Sequence, residues 1–266
     1  MFHFHTVNKF NSTQKDIDSV MKTKKIHYCW FGRNVLGQEA RKCIASWKKF
    51  LPEYEIIEWN EDNFDVHQCR YSSEAYKMKK YAFVSDYARF KILNEQGGIY
   101  FDTDVELIAS PKKMIETGPF MGVEKSSANG SGDVGVAPGL GIYLEPHMPI
   151  VEEIISFYES RPFSFGDHTV VTIMTKFLNK YNFKPKDCQQ YIQGLTIYPS
   201  EYLCPMDSTT GEITITPNTV SIHHYSASWL DHNSLSFKLH TLKNLFIKIF
   251  GKKVVVYVCN LLKGRI

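Results

Sequence analysis

The sequence predicts an α/β fold with a mixed, largely parallel central sheet flanked by helices, on three observations. Short aromatic or β-branched runs alternate with helical periodicity through the first half of the chain. The helical stretch 38–50 sets Ala40, Cys43, Ile44 and Trp47 at i, i+3, i+4 and i+7, one apolar face against Lys and Arg elsewhere. No internal repeat and no Pro/Gly-rich linker divides the 266 residues, a length with ample room for one large core.

Taken in order, residues 1–24 are a polar lead-in, expected to be flexible and without the apolar core of a signal peptide. Residues 25–31 (KIHYCWF) end at Gly32 and read as a first buried strand. After helix 38–50, Leu51-Pro52 stops the chain, and 54–59 (YEIIEW) is a second strand before an Asn/Glu/Asp turn. Residues 72–96 are helical, in one piece or two, and close at Gly97-Gly98, whose backbone freedom suits a helix C-terminus. A third strand, 99–101, delivers Asp102. Beyond Pro111 the chain turns glycine-rich, with a short strand at 120–123 and a flexible loop at 130–141 (GSGDVGVAPGLG), which matches neither phosphate-loop pattern. Helices are expected at 149–159 and 169–181, and strands at 196–198, 213–216 and 220–224. Residues 25–237 form the folded domain in this reading. In open α/β sheets a ligand sits at the carboxyl ends of the strands.

That rule singles out Asp102-Thr103-Asp104. Two carboxylates spaced two apart, where a buried strand runs out, suit a divalent cation held against a diphosphate, since Mg²⁺ and Mn²⁺ prefer oxygen ligands. With twelve Asp in the chain, chance supplies about one such tripeptide, so context decides. Asp16-Ile17-Asp18 has the same spacing but no strand before it, and is set aside. Asp86 and Arg89, three apart, share one face of an otherwise apolar helix; a buried acid and guanidinium need partners, and a polar ligand is one. Trp30, at the carboxyl end of the first strand, is either core or a stacking surface for a base. His223 and His224 end a late strand and point to opposite faces, so at most one joins the acids.

An apolar fraction of 43% and a charged fraction of 22% exclude global disorder. Six scattered cysteines without a C-x-x-C pair argue against a structural zinc site and fit reduced thiols. No apolar stretch is long enough to span a bilayer. No Ser-His-Asp order, H-E-x-x-H or helix-turn-helix pattern stands out, and no nucleic-acid partner is expected. Residues 238–266 carry Lys238, Lys243, Lys248, Lys252, Lys253, Lys263 and Arg265 with no acid, a local +7 that leaves 24 bases against 28 acids elsewhere. With leucines and phenylalanines between the cations, this tail is expected to lie on an anionic membrane surface.

Together KIHYCWFG (25–32), CIASWKKFLPEYEIIEWNEDNF (43–64), AFVSDYARFKILNEQGGIYFDTDVEL (82–107), TIYPSEYLCP (196–205) and HHYSASW (223–229) resemble the DXD-containing glycosyltransferases of family 32. That family includes yeast-type initiating α-1,6-mannosyltransferases and bacterial capsule and O-antigen enzymes; the clostridial toxin glucosyltransferase domains are more distant. The resemblance implies a GT-A fold, a nucleotide-sugar donor linked to UDP or GDP, Mn²⁺ or Mg²⁺, and retention of configuration. By position it implies that Trp30 stacks on the base, that Asp86 and Arg89 hold the donor sugar, and that Asp102 meets ribose and metal-bound water. Asp104 would ligate the metal, His224 would supply a third ligand, and Ser228 and Trp229 would close over the diphosphate. The acceptor expected is a growing lipid-linked glycan presented at the inner face of the cell membrane, with the enzyme cytoplasmic and peripheral. The rival expectations are a toxin-like enzyme acting on a host protein and a catalytically dead carbohydrate-binding protein.

Overall fold

The computed structural model describes residues 23–125, 134–164, 169–207 and 211–226. The lead-in with Asp16 and Asp18, the residues Ser228 and Trp229, and the basic tail lie outside them.

The alternation seen in the sequence becomes strand β1 (Lys25–Cys29), helix α1 (Gln38–Phe50), β2 (Glu55–Trp59), α2 (Arg70–Lys77), α3 (Tyr81–Gln96) and β3 (Gly98–Tyr100). The helical stretch from 72 is thus two helices, separated at Met78–Lys80, where Lys79 takes a left-handed φ of 56°. There follow β4 (Val105–Leu107), α4 (Lys112–Thr117), β5 (Phe120–Lys125), β6 (Val134–Val136), a 3₁₀ turn (Pro138–Leu140) and β7 (Ile142–Leu144). The rest is α5 (Pro149–Glu159), α6 (Val170–Asn179), β8 (Gln190–Ile192), β9 (Leu195–Tyr198), α7 (Ser200–Leu203) and β10 (Ser221–His223).

The main sheet has the order β2-β1-β3-β7-β5-β9-β8, with β6 on the far end of β5; β10 and β4 form a separate pair. β1 is parallel to β2 and β3, and β5 to β9, whereas β7 is antiparallel to both β3 and β5. Strands β2, β1, β3, β5 and β9 therefore run one way and carry their carboxyl ends to one edge, so the mixed, largely parallel sheet is as expected. Helices cover both faces. One core gathers Tyr71, Tyr87, Phe90, Ile154, Tyr158 and Met174 on the α3/α5 side. The other gathers Ile26, Trp47, Phe101, Phe120, Leu140 and Tyr143 on the α1 side.

Trp47 ties α1 to the site. Its ring is fully buried and its indole N–H donates to the Val105 carbonyl at 2.8 Å, so the apolar stripe of α1 also satisfies its one polar atom. Ser46 Oγ accepts from the Leu107 N–H at 2.9 Å. These two bonds fix β4, and with it the turn 102–105 closed by the Val105 N–H to the Asp102 carbonyl at 3.1 Å.

Two expectations are corrected. The loop expected at 130–141 holds strand β6 at Val134–Val136 and the 3₁₀ turn at Pro138–Leu140, and β7 follows directly; both strands are buried and only three residues long, too short to show a period. Residues 213–216 are not a strand. Ile213 and Ile215 stay exposed and a single bridge joins Ile213 to Met206, because no sheet edge or core meets the alternating isoleucines there.

Beneath the β1–β3 pairing lies a fully buried histidine, His27, which carries a consequence for stability. Its Nε2 sits 2.9 Å from the Gly97 carbonyl and its Nδ1 accepts from the Trp59 indole N–H at 3.0 Å, so both ring nitrogens suit the neutral tautomer. The neighbouring Gly98 has φ +102°, and a Cβ there would lie 2.7 Å from the Lys25 carbonyl. Burial pushes the His27 pKa down to about 4, with Lys25 assisting and the Gly97 bond opposing. Below 6.5 the unfolded chain takes up a proton that the native state refuses until about 4, so stability falls across that window by about 3 kcal/mol. Urea unfolding at pH 7 and at pH 4.5 measures it; His27→Gln, which keeps a donor for Gly97, is expected to flatten the decline.

Candidate functional site

Four carboxyl ends converge. Trp30 follows β1, Asp102 follows β3, Glu124 lies near the end of β5, and Cys204 follows α7 after β9. The β10–β4 pairing sets His223 opposite Val105, and the His224 N–H donates to the Asp104 carbonyl at 2.9 Å.

The core of the site is a buried charge network. α3 is apolar on nearly all sides, so Asp86 and Arg89, exposed by 7% and 3%, are drawn into the interior with it. Arg89 Nη2 donates to Asp86 Oδ1 at 2.8 Å and lies 3.3 Å from Asp102 Oδ1, while Nε donates to the Ser85 carbonyl at 3.1 Å. Tyr100 donates its hydroxyl to the same Asp102 Oδ1 at 2.9 Å, and the guanidinium lies 4.9 Å from the Tyr100 ring centre. Arg89 Nη1 is buried with no hydrogen-bond partner among the described residues. Leaving such a donor unpaired costs about 1–3 kcal/mol, more for a charged group, which a ligand oxygen would recover. Burial pushes Asp86 up to about 7, with Arg89 opposing and Asp102 reinforcing. Burial alone would lower the Arg89 pKa, but the Asp102 and Asp86 carboxyls beside it outweigh that and hold it above the ordinary value.

Gly139, in the 3₁₀ turn, sits directly on this network. Its carbonyl accepts from the Asp102 N–H at 3.0 Å, and a Cβ on it would lie 2.0 Å from Asp102 Oδ2 and 3.4 Å from Arg89 Nη1. No side chain fits, and the space that glycine leaves lies at the free edge of Asp102 and at the unpaired Nη1. Gly139→Ala is expected to push Asp102 aside and to cost about 1–3 kcal/mol of stability, the usual effect of overpacking. Urea unfolding of the variant, with a circular-dichroism check of folding, measures this.

The second acid is held apart from the first. Asp104 Oδ2 accepts from the Ser226 N–H at 3.0 Å and from its hydroxyl at 3.2 Å, and Oδ1 lies 3.2 Å from His223 Nε2. Burial alone would raise the Asp104 carboxyl; the His223 charge and these hydrogen bonds outweigh it and hold it at about 2. Burial likewise disfavours charge on His223, but Asp104 raises its pKa well above the ordinary value.

One expected residue is corrected here. His224 does not join the acids: its Nε2 lies 2.8 Å from Glu106 Oε2, on the partly exposed face. Because successive side chains on a strand alternate, the register that turns His224 outward turns His223 to Asp104. Trp30 lies just past β1, half-buried, with its indole N–H donating to the Asn34 carbonyl at 2.7 Å. Sequence reasoning also missed Gly139, Glu124, Cys204 and Tyr225. The Tyr225 hydroxyl lies 3.0 Å from Cys204 Sγ and donates to Glu124 Oε2 at 3.3 Å. Nothing in the local sequence flags Glu124 or Cys204, which meet only through the pairing of β5 with β9.

A hard divalent cation fits these residues. Asp102 and Asp104 supply carboxyl oxygen donors, and at Asp102 the glycine keeps one of the two oxygens uncovered.

Residues 37–121, from the residue capping α1 to the second residue of β5, match the family model described as a glycosyltransferase sugar-binding region containing a DXD motif. That stretch is about a third of the chain, and the likeness to such a sugar-binding region is to this segment. It holds Asp86, Arg89, Asp102 and Asp104. No curated protein sequence matches the chain. Similar solved structures include the PaToxG glycosyltransferase, 20% identical over 60% of this chain and 69% of that one, with a TM-score of 0.44. The galactosyltransferase LgtC, solved with donor and acceptor sugar analogues, is 13% identical over 83% of this chain and 95% of that one, with a TM-score of 0.37. A glycosyltransferase involved in glycosylation of the major capsid of PBCV-1 is 10% identical over 83% of this chain and 98% of that one, with a TM-score of 0.42. These likenesses are too distant to carry a substrate to this chain.

Proposed function

We propose that this chain is a metal-dependent, retaining glycosyltransferase of the family 32 type. It moves a hexose from a UDP- or GDP-linked donor to a growing lipid-linked surface polysaccharide. The observation that supports this reading most is the buried Asp86–Arg89–Asp102 network, with an unpaired guanidinium nitrogen beside the cradle at Gly139.

In this reading Arg89 donates from Nη1 to a donor-sugar or phosphate oxygen, and Asp86 fixes the guanidinium plane so that the donation costs no reorganisation. Asp102 and Asp104 would hold Mn²⁺ or Mg²⁺, with His223 placed beside Asp104 where His224 had been expected. When bound, the cation offsets the negative charge that the diphosphate gains as the glycosidic bond lengthens. Tyr100 and Arg89 keep Asp102 aligned through its Oδ1, which leaves Oδ2 for the ligand side. Trp30 offers an aromatic face to the base, and Ser228 and Trp229 close over the diphosphate. No carboxylate is assigned as a covalent nucleophile; the acceptor hydroxyl attacks on the face from which the diphosphate leaves.

Among the described residues no helix is long and apolar enough to cross a membrane. The acceptor is read from the tail: its seven cations and interleaved apolar residues would hold the enzyme peripherally at the cytoplasmic leaflet. A thermal-shift panel of UDP- and GDP-sugars with Mn²⁺ tests the donor, and one nucleotide series is expected to stabilise the protein well beyond the other. Equal and negligible shifts throughout would remove the reading. Deleting residues 238–266 is expected to spare donor hydrolysis and abolish pelleting with phosphatidylglycerol vesicles at low salt. Vesicle binding that survives the deletion would rule out the tail as the anchor.

A further inference from the structure

We propose that Glu124, Cys204 and His223 form a second, softer metal site of the zinc type behind the aspartate pair. Their ligand atoms lie within 4.8 Å of one another and come from three separate elements: β5, the residue after α7, and β10. A thiol, an imidazole and a carboxylate are the ligand types that Zn²⁺ takes, whereas a thiol has no place in a Mg²⁺ site.

Three further observations point the same way. Cys204 and Glu124 already converge on one atom, the Tyr225 hydroxyl, at 3.0 and 3.3 Å. That hydroxyl occupies a position which a water or the phenol itself could take as fourth ligand. His223 Nδ1 is buried and has no hydrogen-bond partner among the described residues. Its other nitrogen faces Asp104 Oδ1 at 3.2 Å, the carboxylate–histidine arrangement that orients imidazoles at zinc centres. Zinc–ligand distances of about 2.0–2.3 Å imply ligand separations of roughly 3.5 Å, so the side chains need close by only about 1 Å. Binding releases the Cys204 thiol proton and any proton on Nδ1, and nothing is oxidised or reduced.

On the transferase reading, zinc here would hold Asp104 as the partner of His223 and so compete with the catalytic cation. The site itself does not depend on that reading. The test uses the full-length protein, stripped by chelator, titrated with Co²⁺ and then with Zn²⁺. One equivalent of Co²⁺ is expected to give a thiolate-to-cobalt charge-transfer band with the strong visible bands of a tetrahedral ion, and Zn²⁺ should remove both. Cys204→Ser should abolish the charge-transfer band, and Glu124→Gln should weaken cobalt binding at least ~10-fold. A wild-type protein without the band, or a band intact in folded Cys204→Ser, overturns the proposal. Should Cys204→Ser fail to fold, unchanged cobalt affinity in Glu124→Gln overturns it instead. Loss of donor hydrolysis in Asp104→Asn with the cobalt band retained would separate this site from the one that serves transfer.

Discussion

Asp104→Asn is expected to lower glycosyl transfer by at least ~10³-fold, on the scale of losing a principal electrostatic stabiliser of the reaction. The substitution is nearly isosteric. Its amide oxygen still accepts from the Ser226 N–H and hydroxyl, and its NH₂ donates to His223 Nε2 once that ring, deprived of its counter-charge, gives up its proton. Loss of the ion pair that holds Asp104 at about 2 should lower stability by about 2 kcal/mol. The larger loss should fall on metal-dependent turnover. Parallel measurements of kcat at saturating Mn²⁺ and of urea unfolding separate the two effects. An active Asn variant would show that Asp104 anchors Ser226 and His223 without holding a cation.

Arg89→Ala carries the largest expected cost to stability. The guanidinium neutralises two carboxylates, and removing it leaves Asp86 buried beside Asp102 with no counter-charge. Breaking a buried pair from one side costs about 3–5 kcal/mol. For a chain of this size that lowers Tm by on the order of 10 °C. The penalty should ease toward low pH, because Asp86 already sits near 7 through burial and its protonation removes the stranded charge. Arg89→Lys tests the chemistry separately from the fold. An ammonium restores the charge but not the planar fork that spans Asp86, Asp102 and a third oxygen, so nucleotide binding should survive while kcat falls sharply. Thermal melts of Ala and Lys variants at pH 7.5 and 5.5, with kcat and KM for the Lys variant, measure both claims. A Lys variant with unchanged kcat would make Arg89 a structural residue only.

Where a long period or a capping glycine spoke, the sequence was legible. Helix 38–50 came out to the residue because its apolar stripe must face β4, and 149–159 because Pro149 starts it. Asp86 and Arg89 were legible as a pair because charges on a largely apolar helix have to find partners in the interior, whereas the contact of Arg89 with Asp102 depends on how the helix packs on β3. The three-residue strands β6 and β7 were not, since a run that short carries no period to distinguish it from loop. The choice between His223 and His224 turned on strand register, which pairing with β4 decides and local sequence does not. Gly139 was hidden for a different reason: its φ is ordinary, and only the approach of Asp102 makes it a glycine position. Glu124 and Cys204 lie eighty residues apart in the chain and meet solely because β5 pairs with β9.

Release of nucleoside diphosphate from UDP- and GDP-hexoses, followed in Mn²⁺ and in excess EDTA, separates a metal-dependent transferase from a protein that only binds sugar. One nucleotide class is expected to be hydrolysed slowly without acceptor. That turnover should vanish in EDTA, return with Mn²⁺ or Mg²⁺, and fall by at least ~10³-fold in Asp104→Asn. Release that proceeds undiminished in EDTA, or equally in Asp104→Asn, would contradict metal-dependent transfer.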